Sequence, residues 1–257
     1  MILDKIVNSV QKRLTQRKAI LPLEELKAQL TDPHQGGRFI QAMAEPGISF
    51  IAEIKKASPS AGIICPDFDP CTIAKAYSQS KARAISVLTE EDHFQGSLQC
   101  LKAVRPLTTL PIIQKDFIIA PYQIYEARLF QTDCILLIAA ILDQTQMENL
   151  LATAEKIGID VLMEIHNQED LDKIKGMELK LIGINNRDLT TFKTDLQTTI
   201  RLREKLAHHC RVISESAIKT RQDVAMLESA GIDGILVGET VMRSPDMIAK
   251  IDEMLGK

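Results

Sequence analysis

Neither sign of charge dominates this chain, and the lack of an excess narrows its possible partners. The 257 residues include 31 lysines and arginines against 34 aspartates and glutamates, for a formal net charge of -3. A balance this even creates no long-range field that would draw a polyanion to the surface. We therefore expect no nucleic-acid partner and no membrane partner.

The chain also lacks the marks of a secreted or modular protein. Its five cysteines are scattered and never spaced C-x-x-C, which predicts reduced thiols. The amino-terminal stretch MILDKIVNSVQKRL mixes charged residues into its apolar positions and does not resemble a signal peptide. With no linker or low-complexity tract, we expect one cytoplasmic domain over residues 1–257. The oligomeric state stays open, and a monomer is compatible with the sequence.

Residues 1–46 show helical spacing of apolar residues in three segments. The first covers the initial 14 residues, the second starts at Pro22 and runs through LEELKAQL, and the third is FIQAMA. We interpret them as a helical extension that packs on residues 47–257 and takes no part in chemistry.

From residue 48 onward, eight short apolar runs alternate with amphipathic segments of helical length. The runs are SFIAEI, AISVLTE, LPIIQKD, CILLIA, DVLMEI, KLIGIN, RVISES and GILVGE. Near-continuous apolar runs are typical of parallel strands covered on both faces, and their ends recur about every 26 residues. The pattern predicts an α/β protein, a (β/α)8 TIM barrel with a helical N-terminal extension. An open doubly wound sheet fits it less well.

Helix starts can be read between these runs. The predicted starts are Asp69-Pro70, Ser97, Pro121, Asp143, Asn167, Asp195, Thr220 and Ser244-Pro245.

The first strand carries two ionisable residues of opposite sign. Glu53 and Lys55 lie two positions apart, so their side chains point to the same face as Ile51. Burying either charge alone would cost several kcal/mol. The pair therefore indicates a site.

Further polar residues lie at or just past the carboxyl ends of other strands, where a barrel places its active site. They are Lys115, Glu164, Asn185, Arg187, Glu215 and Ser216. Lysines among carboxylates allow pKa values to be tuned in both directions, so acid and base chemistry without a cofactor is feasible. A desolvated ammonium would become a better acid, and a carboxylate in apolar surroundings a better base.

Two loops favour an anion. Ser216-Ala217 follows the seventh predicted strand, and Gly238-Glu239 follows the eighth, where GETVMR could form an extra helical turn. Ser58 in the first loop could add a hydroxyl, although an ordinary tight turn explains Val-Gly-Glu equally well.

Several motifs, in one order along the chain, are similar to those of the indole-3-glycerol-phosphate synthase family. They are AEIKKASPSAG, SVLTE, IIQKDFII, LMEIHN, IGINNRDL, ISES and LVGETVMRS. The resemblance covers essentially the whole chain. It implies a lyase that closes the indole ring of 1-(2-carboxyphenylamino)-1-deoxyribulose 5-phosphate, releasing carbon dioxide and water, with no cofactor and no metal.

The resemblance also implies roles for individual residues. Lys115 would be the general acid, Glu164 the general base, and Lys55 the partner of the anthranilate carboxylate or a second proton donor. The orienting residues would be Glu53, Asn185, Arg187, Glu215 and Ser216. The phosphate would be held by Ser58, Gly238 and the backbone around Ala217 and Glu239, and the aromatic ring by Phe117 and Leu136.

Two residues depart from the family pattern. Ala61 stands where a lysine is frequent, and Ala217 where a glycine is usual. The second matters if the phosphate loop needs a positive φ, which alanine resists.

Three alternatives remain at this point. A class I aldolase would use Lys55 or Lys115 as a Schiff base, and a phosphoribosylanthranilate isomerase would need a cysteine at the end of the first strand. A non-catalytic phosphate-binding barrel would have no use for three carboxylates beside an anion. We interpret Glu90, Glu91 and Asp92 as a solvated loop, and we assign no catalytic role to His34, His166 or His208.

Overall fold

Eight parallel strands form a closed barrel in the computed structural model, which describes residues 2–30, 36–189, 191–206 and 209–257. In chain order β1 to β8, the strands are Ser49–Ile54, Ala84–Leu88, Ile112–Lys115, Cys134–Ile138, Asp160–Ile165, Leu181–Asn185, Arg211–Glu215 and Gly234–Val237. Each strand pairs with the next, and β1 also pairs with β8 to close the ring. The predicted barrel and its helical extension are confirmed.

Twelve α-helices surround or precede the strands within the described residues. In chain order α1 to α12, they are Ile2–Ile20, Leu23–Ala28, Arg38–Ala44, Pro70–Gln79, Leu98–Val104, Pro121–Leu129, Gln144–Lys156, Gln168–Lys173, Gln197–Arg203, Arg221–Ser229, Glu239–Met242 and Met247–Leu255. No helix among these is long and apolar enough to cross a bilayer.

Side-chain caps explain most of the helix starts. The side chains of Asp69, Ser97, Asp143, Asn167 and Thr220 each accept a hydrogen bond from a first-turn backbone N–H group, as their residue types predict.

Two predicted helix starts are wrong. The helix expected at Asp195 begins at Gln197. The last helix begins at Met247 and not at Ser244-Pro245, because Asp246 Oδ1 accepts from Ala249 N–H at 2.9 Å.

Strand residues alternate between two apolar layers. On β1, Phe50, Ala52 and Ile54 point outward and pack under the helices, whereas Ile51 points into the barrel. Both sets are fully buried or nearly so, and burial of one large aliphatic side chain contributes roughly 1.5–3 kcal/mol. This two-sided burial is the reason that the strands read as continuous apolar runs.

The helical extension contacts both ends of the barrel. At the amino-terminal end, Phe39 and Met43 of α3 join the apolar cluster inside the barrel. Asp160, at the start of β5, fixes this helix by accepting backbone N–H groups of Gly37, Phe39 and Ile40 at 3.0–3.1 Å. The boundary between residues 46 and 47 stays a prediction.

The loop after β1 contains a small hairpin that was not predicted. Two-residue strands, Ala57–Ser58 and Gly62–Ile63, pair antiparallel across the Ser-Pro-Ser turn. Ser58 Oγ accepts the Ala61 N–H at 3.2 Å.

Candidate active site

The carboxyl ends of the strands enclose a cavity of about 690 Å³. All of the site residues named from the sequence line it: Glu53, Lys55, Ser58, Lys115, Phe117, Leu136, Glu164, Asn185, Arg187, Glu215, Ser216, Ala217, Gly238 and Glu239. The residues come from β1, β3, β4, β5, β6 and β7 and from the loops after β1, β3, β6, β7 and β8. The barrel thus brings the predicted residues together, whereas their individual roles stay predictions.

Four charged side chains form one layer across the barrel. Glu53, Lys115, Glu164 and Glu215 lie on β1, β3, β5 and β7, and alternate strands of a (β/α)8 barrel point into the same interior layer. The residues two positions earlier on these strands all belong to the apolar cluster beneath: Ile51, Ile113, Leu162 and Ile213. The uppermost layer of the interior is therefore charged where the next is apolar.

Lys115 is the centre of this charged layer. Its Nζ lies 2.8 Å from Glu164 Oε2 and 2.5 Å from Glu215 Oε2. Lys115 is 9% exposed, and the two carboxylates are 3% and 2% exposed. Because burial strengthens these contacts and makes an unpaired charge costly, the three groups hold one another in place.

The electrostatics of the layer favour the charged forms of Lys115 and Glu164. Burial alone would lower the pKa of Lys115, but Glu164, Glu215 and Glu53 together raise it above its usual value. Burial alone would likewise raise the pKa of Glu164, but Lys115 and then His166 lower it below the usual range. These directions are opposite to the desolvation effects expected from the sequence, since ion pairing outweighs burial here.

Glu215 differs from Glu164 in its surroundings. Burial raises the pKa of Glu215, and the nearby Glu164 adds to this while Lys115 opposes it. Glu215 Oε1 is buried and has no hydrogen-bond partner among the described residues. The pKa of Glu215 is thus shifted in the direction opposite to that of Glu164.

Two glycines make room for the carboxylates. A Cβ at position 183 would lie 2.3 Å from Glu215 Oε1, and one at position 238 would lie 2.2 Å from Glu53 Oε2. Gly238 has a φ of -114°, so space for Glu53 explains this glycine. Sequence reasoning missed Gly183, although a glycine inside a strand signals close approach.

Glu53 and Lys55 pair as their spacing predicts. Lys55 Nζ lies 2.5 Å from Glu53 Oε2, with the lysine side chain 18% exposed and the glutamate 4%. Lys55 is therefore the more accessible of the two site lysines.

The loops after β7 and β8 form another part of the cavity wall. Ser216 and Ala217 have φ values of 64° and 67°, in the left-handed region that side chains resist. Ala217 therefore has the positive φ that alanine resists. The extra helical turn predicted after Gly238 is α11, and the side chains of Lys219 and Arg243 also line this part of the cavity.

Asn185 and Arg187 are held by the loop after β6. Asn185 Oδ1 accepts the Arg187 N–H at 3.0 Å, and Arg187 Nη1 donates to the Phe192 carbonyl at 3.2 Å. Both side chains still line the cavity.

The apolar wall is larger than the sequence suggested. Phe94 lies beside Phe117 with ring centroids 6.0 Å apart. Ile2, Leu3 and Ile6 of α1 also line the cavity. The amino-terminal extension thus forms part of the site wall, which its helical periodicity could not reveal.

The acidic loop after β2 is not simply solvated. Glu90 is 3% exposed and accepts the backbone N–H groups of Asp92, His93 and Phe94. Asp92 pairs with Arg13 of α1 at 2.5 Å, and Glu91 contacts the same guanidinium. The described residues contain no group of three potential ligands arranged to hold a metal ion.

His166 also has partners that sequence reasoning missed. Its Nδ1 lies 3.3 Å from Asp170 Oδ2 and its Nε2 lies 3.2 Å from Glu164 Oε1. The His-x-x-x-Asp spacing at the start of α8 was the available signal. His34 and His208 lie outside the described residues.

Fold and site together define a (β/α)8-barrel protein with a lysine and carboxylate cluster at its mouth. Solved barrels share this architecture: 3-hexulose-6-phosphate synthase from Salmonella typhimurium has a TM-score of 0.64 at 10% identity, covering 81% of this chain and 97% of its own. A tryptophan synthase alpha-subunit mutant from Pyrococcus furiosus has a TM-score of 0.61 at 16% identity, covering 81% and 98%. At these identities, the likeness concerns the fold alone.

The family model described as indole-3-glycerol phosphate synthase matches residues 3–254. A protein of that name from Dehalococcoides mccartyi is 46% identical over 99% of this chain and 100% of its own. Another from Alkaliphilus metalliredigens is 43% identical over 99% and 98%. The chain belongs to the indole-3-glycerol phosphate synthase family, as the sequence motifs predicted.

Proposed function

We propose that this chain is a carbon-carbon lyase of tryptophan biosynthesis. It converts 1-(2-carboxyphenylamino)-1-deoxyribulose 5-phosphate to indole-3-glycerol phosphate, carbon dioxide and water. The observation that carries the proposal is Lys115 held between Glu164 and Glu215 in a closed layer at the base of the cavity. The chemistry as proposed uses side chains only.

Ring closure begins with attack of the carboxylated aromatic carbon on the substrate's own ketone. The oxygen of that ketone gains charge as the carbon-carbon bond forms, and it needs a proton donor beside it. Lys115 is the proposed donor, because its ammonium is buried at the base of the cavity. Loss of carbon dioxide then leaves the electron pair of the broken bond in the new ring.

Dehydration needs both an acid and a base. The hydroxyl formed in ring closure leaves as water when it is protonated, and a ring proton must be removed to restore the aromatic system. Glu164 is the proposed base, since its carboxylate lies 2.8 Å from the lysine that supplies the acid. A positioned acid or base contributes typically 10²–10⁴-fold to a rate.

The substrate must be folded so that its ring meets its own ketone. Lys55 is the proposed partner of the anthranilate carboxylate, and the loops carrying Ser216, Ala217 and Gly238 are the proposed phosphate site. Anchoring both ends fixes the reacting atoms near each other and removes much of the entropic cost of ring closure. The apolar wall of Phe117 and Leu136 would receive the aromatic ring.

The Schiff-base alternative is disfavoured by the ion pairs. A lysine nucleophile must be neutral, whereas carboxylates lie 2.5–2.8 Å from Nζ of both site lysines. Treatment with borohydride in the presence of substrate separates the two functions. We expect no covalent adduct, and a trapped adduct at Lys55 or Lys115 would favour the aldolase.

The direct test is to mix the purified protein with the anilino-deoxyribulose phosphate and record indole fluorescence. The chain contains no tryptophan, so product emission appears over a low background. Formation of indole-3-glycerol phosphate with release of one carbon dioxide per turnover is the expected result. Failure of a folded preparation to form product would refute the proposal. The cytoplasmic location stays a prediction.

A further inference from the structure

A buried histidine lies behind the proposed base. His166 follows β5 directly, and its ring is flanked by Glu164 on one side and Asp170 on the other. Its side chain is 6% exposed, and it is not among the residues that line the cavity. Any effect of His166 on substrate must therefore pass through Glu164.

Asp170 is held rigidly where it meets the imidazole. Its Oδ2 accepts the His166 backbone N–H at 2.9 Å, and its own N–H donates to the Asn167 cap at 2.9 Å. Asp170 is 3% exposed. A buried carboxylate with so few alternative donors needs the ring Nδ1–H as a partner.

The second ring nitrogen faces the active site. Nε2 lies 3.2 Å from Glu164 Oε1, but no hydrogen bond of good alignment joins them. The contact is thus mainly an attraction of charges. A carboxylate on each side favours a proton on both ring nitrogens, which makes the ring a cation.

The two oxygens of Glu164 therefore have different cationic neighbours. Oε2 is held by Lys115 and Oε1 lies beside His166. In the proposed reaction Lys115 gives up its proton, and at that moment Oε2 loses its charged neighbour. A second cation that does not take part in the transfer would keep the carboxylate ionised.

We propose that His166 is a positioning residue that keeps Glu164 ionised and oriented while Lys115 donates its proton. Asp170 holds the imidazolium in place for this task. This inference rests on the proposed function, and it assigns His166 a role without contact with substrate.

The charges around the ring agree with this role. Burial alone would lower the pKa of His166, but the hydrogen bond with Asp170 and the negative charge of Glu164 raise it to about 9. Lys115 lies on the other side of Glu164 from the ring. Lys173 of α8 donates to the Ala139 carbonyl at 3.5 Å and not to these carboxylates. The direction of this shift favours the cation at neutral pH.

The first test is His166→Gln, which keeps an N–H donor near the Nε2 position but removes the charge. We expect kcat to fall at least about tenfold with KM changed less than about twofold. Loss of a cation raises the pKa of Glu164, so the acidic limb of the kcat pH profile should move to higher pH. An unchanged limb would overturn the proposal, because a merely structural histidine would not move it.

His93→Gln is the matched control. His93 also lies beside a buried glutamate, with Nδ1 3.2 Å from Glu90 Oε1, but neither residue lines the cavity. We expect its kcat profile to match that of the unchanged protein. An equal shift in both variants would count against a specific role of His166.

A second measurement decides the question if His166→Gln does not fold. Histidines of the His93→Gln protein can be labelled with ¹⁵N and followed by NMR from pH 6 to 9. We expect one of the four remaining rings to keep both protons above pH 8. Four neutral rings at pH 8 would overturn the proposal, whether or not the protein forms indole.

Discussion

The two ends of the barrel both bury carboxylates, but they satisfy them differently. At the amino-terminal end, Asp133 accepts from Arg38, Arg105 and the Ile112 N–H at 2.8–2.9 Å. Asp160 accepts three backbone N–H groups in the same way. Backbone donors and guanidinium groups do not release protons near neutral pH, so these contacts serve only to hold the chain.

At the mouth, the carboxylates lie beside groups that can exchange protons. Glu164 contacts Lys115 and His166, and one oxygen of Glu215 has no hydrogen-bond partner in the part of the chain that the structure describes. A charge that is only partly satisfied costs stability but can interact with a substrate. The comparison predicts that substitutions at the mouth change activity, whereas those at the opposite end change stability.

Substitution of Glu164 should have the second-largest effect on activity, after substitution of Lys115. Glu164→Gln removes the proposed base while preserving shape, and kcat should fall about 10²–10³-fold. Urea unfolding should show little change, because Lys115 keeps Glu215 as a partner. The exposed Glu148→Gln on α7 is the control. A stability loss as large as the activity loss would erase the distinction between the two ends.

The matching substitution at the other end is Asp133→Ala. It removes the carboxylate partner of two arginines and of one backbone N–H group, and the free energy of unfolding should fall by about 3–5 kcal/mol. The folded variant should keep its kcat, as measured at low temperature. Asp195→Ala breaks the exposed pair with Arg201 and should cost less than about 1 kcal/mol. Equal losses of unfolding free energy in these two variants would contradict the assignment of a stabilising role to Asp133.

Substitution of Arg13 tests whether the position of α1 affects substrate binding. It ties α1 to the loop after β2 through Asp92, and Ile2, Leu3 and Ile6 of the same helix line the cavity. Arg13→Ala should raise KM about twofold to fivefold with little change in kcat, because a half-exposed pair is worth about 1 kcal/mol or less. Lys12→Ala on the same helix should leave KM unchanged. Equal KM values for Arg13→Ala and Lys12→Ala would show that the ion pair of Arg13 with Asp92 is not needed to position α1 at the cavity.

The smallest expected effect is at the phosphate loop. Ala217 has a positive φ, so Ala217→Gly removes strain and should raise the free energy of unfolding by about 0.5–1 kcal/mol. KM should fall slightly if the strain weakens phosphate binding. Ala61→Gly, at a position without a positive φ, should bring no gain. An unaffected KM in Ala217→Gly would remove the basis for calling this departure a weakness.

The sequence predicted the barrel and the composition of its mouth because both follow from the pattern of residue types along short segments of the chain. Apolar runs mark strands, and the polar residue that ends each run must lie at the carboxyl rim. What could not be predicted depends on contacts between distant segments. The Arg13 to Asp92 pair spans 79 residues, and the Asp160 contacts with α3 span up to 121 residues.

The pKa directions illustrate a second limit. Residue types alone suggested an acid made stronger by desolvation. The direction depends instead on the two carboxylates lying 2.5 and 2.8 Å from Lys115 Nζ, and distances of this kind are fixed by the strand register and not by residue type.

The most direct test of the account is Lys115→Met, compared with the exposed control Lys102→Met, in the indole fluorescence assay. Lys115→Met should lose about 10³-fold or more in kcat while still binding the anilino-deoxyribulose phosphate, because the proton donor is lost and the proposed anchors for both ends of the substrate remain. Lys102→Met should turn over normally. Turnover by Lys115→Met within about tenfold of the unchanged protein would contradict the central claim that the buried ammonium supplies the proton for ring closure.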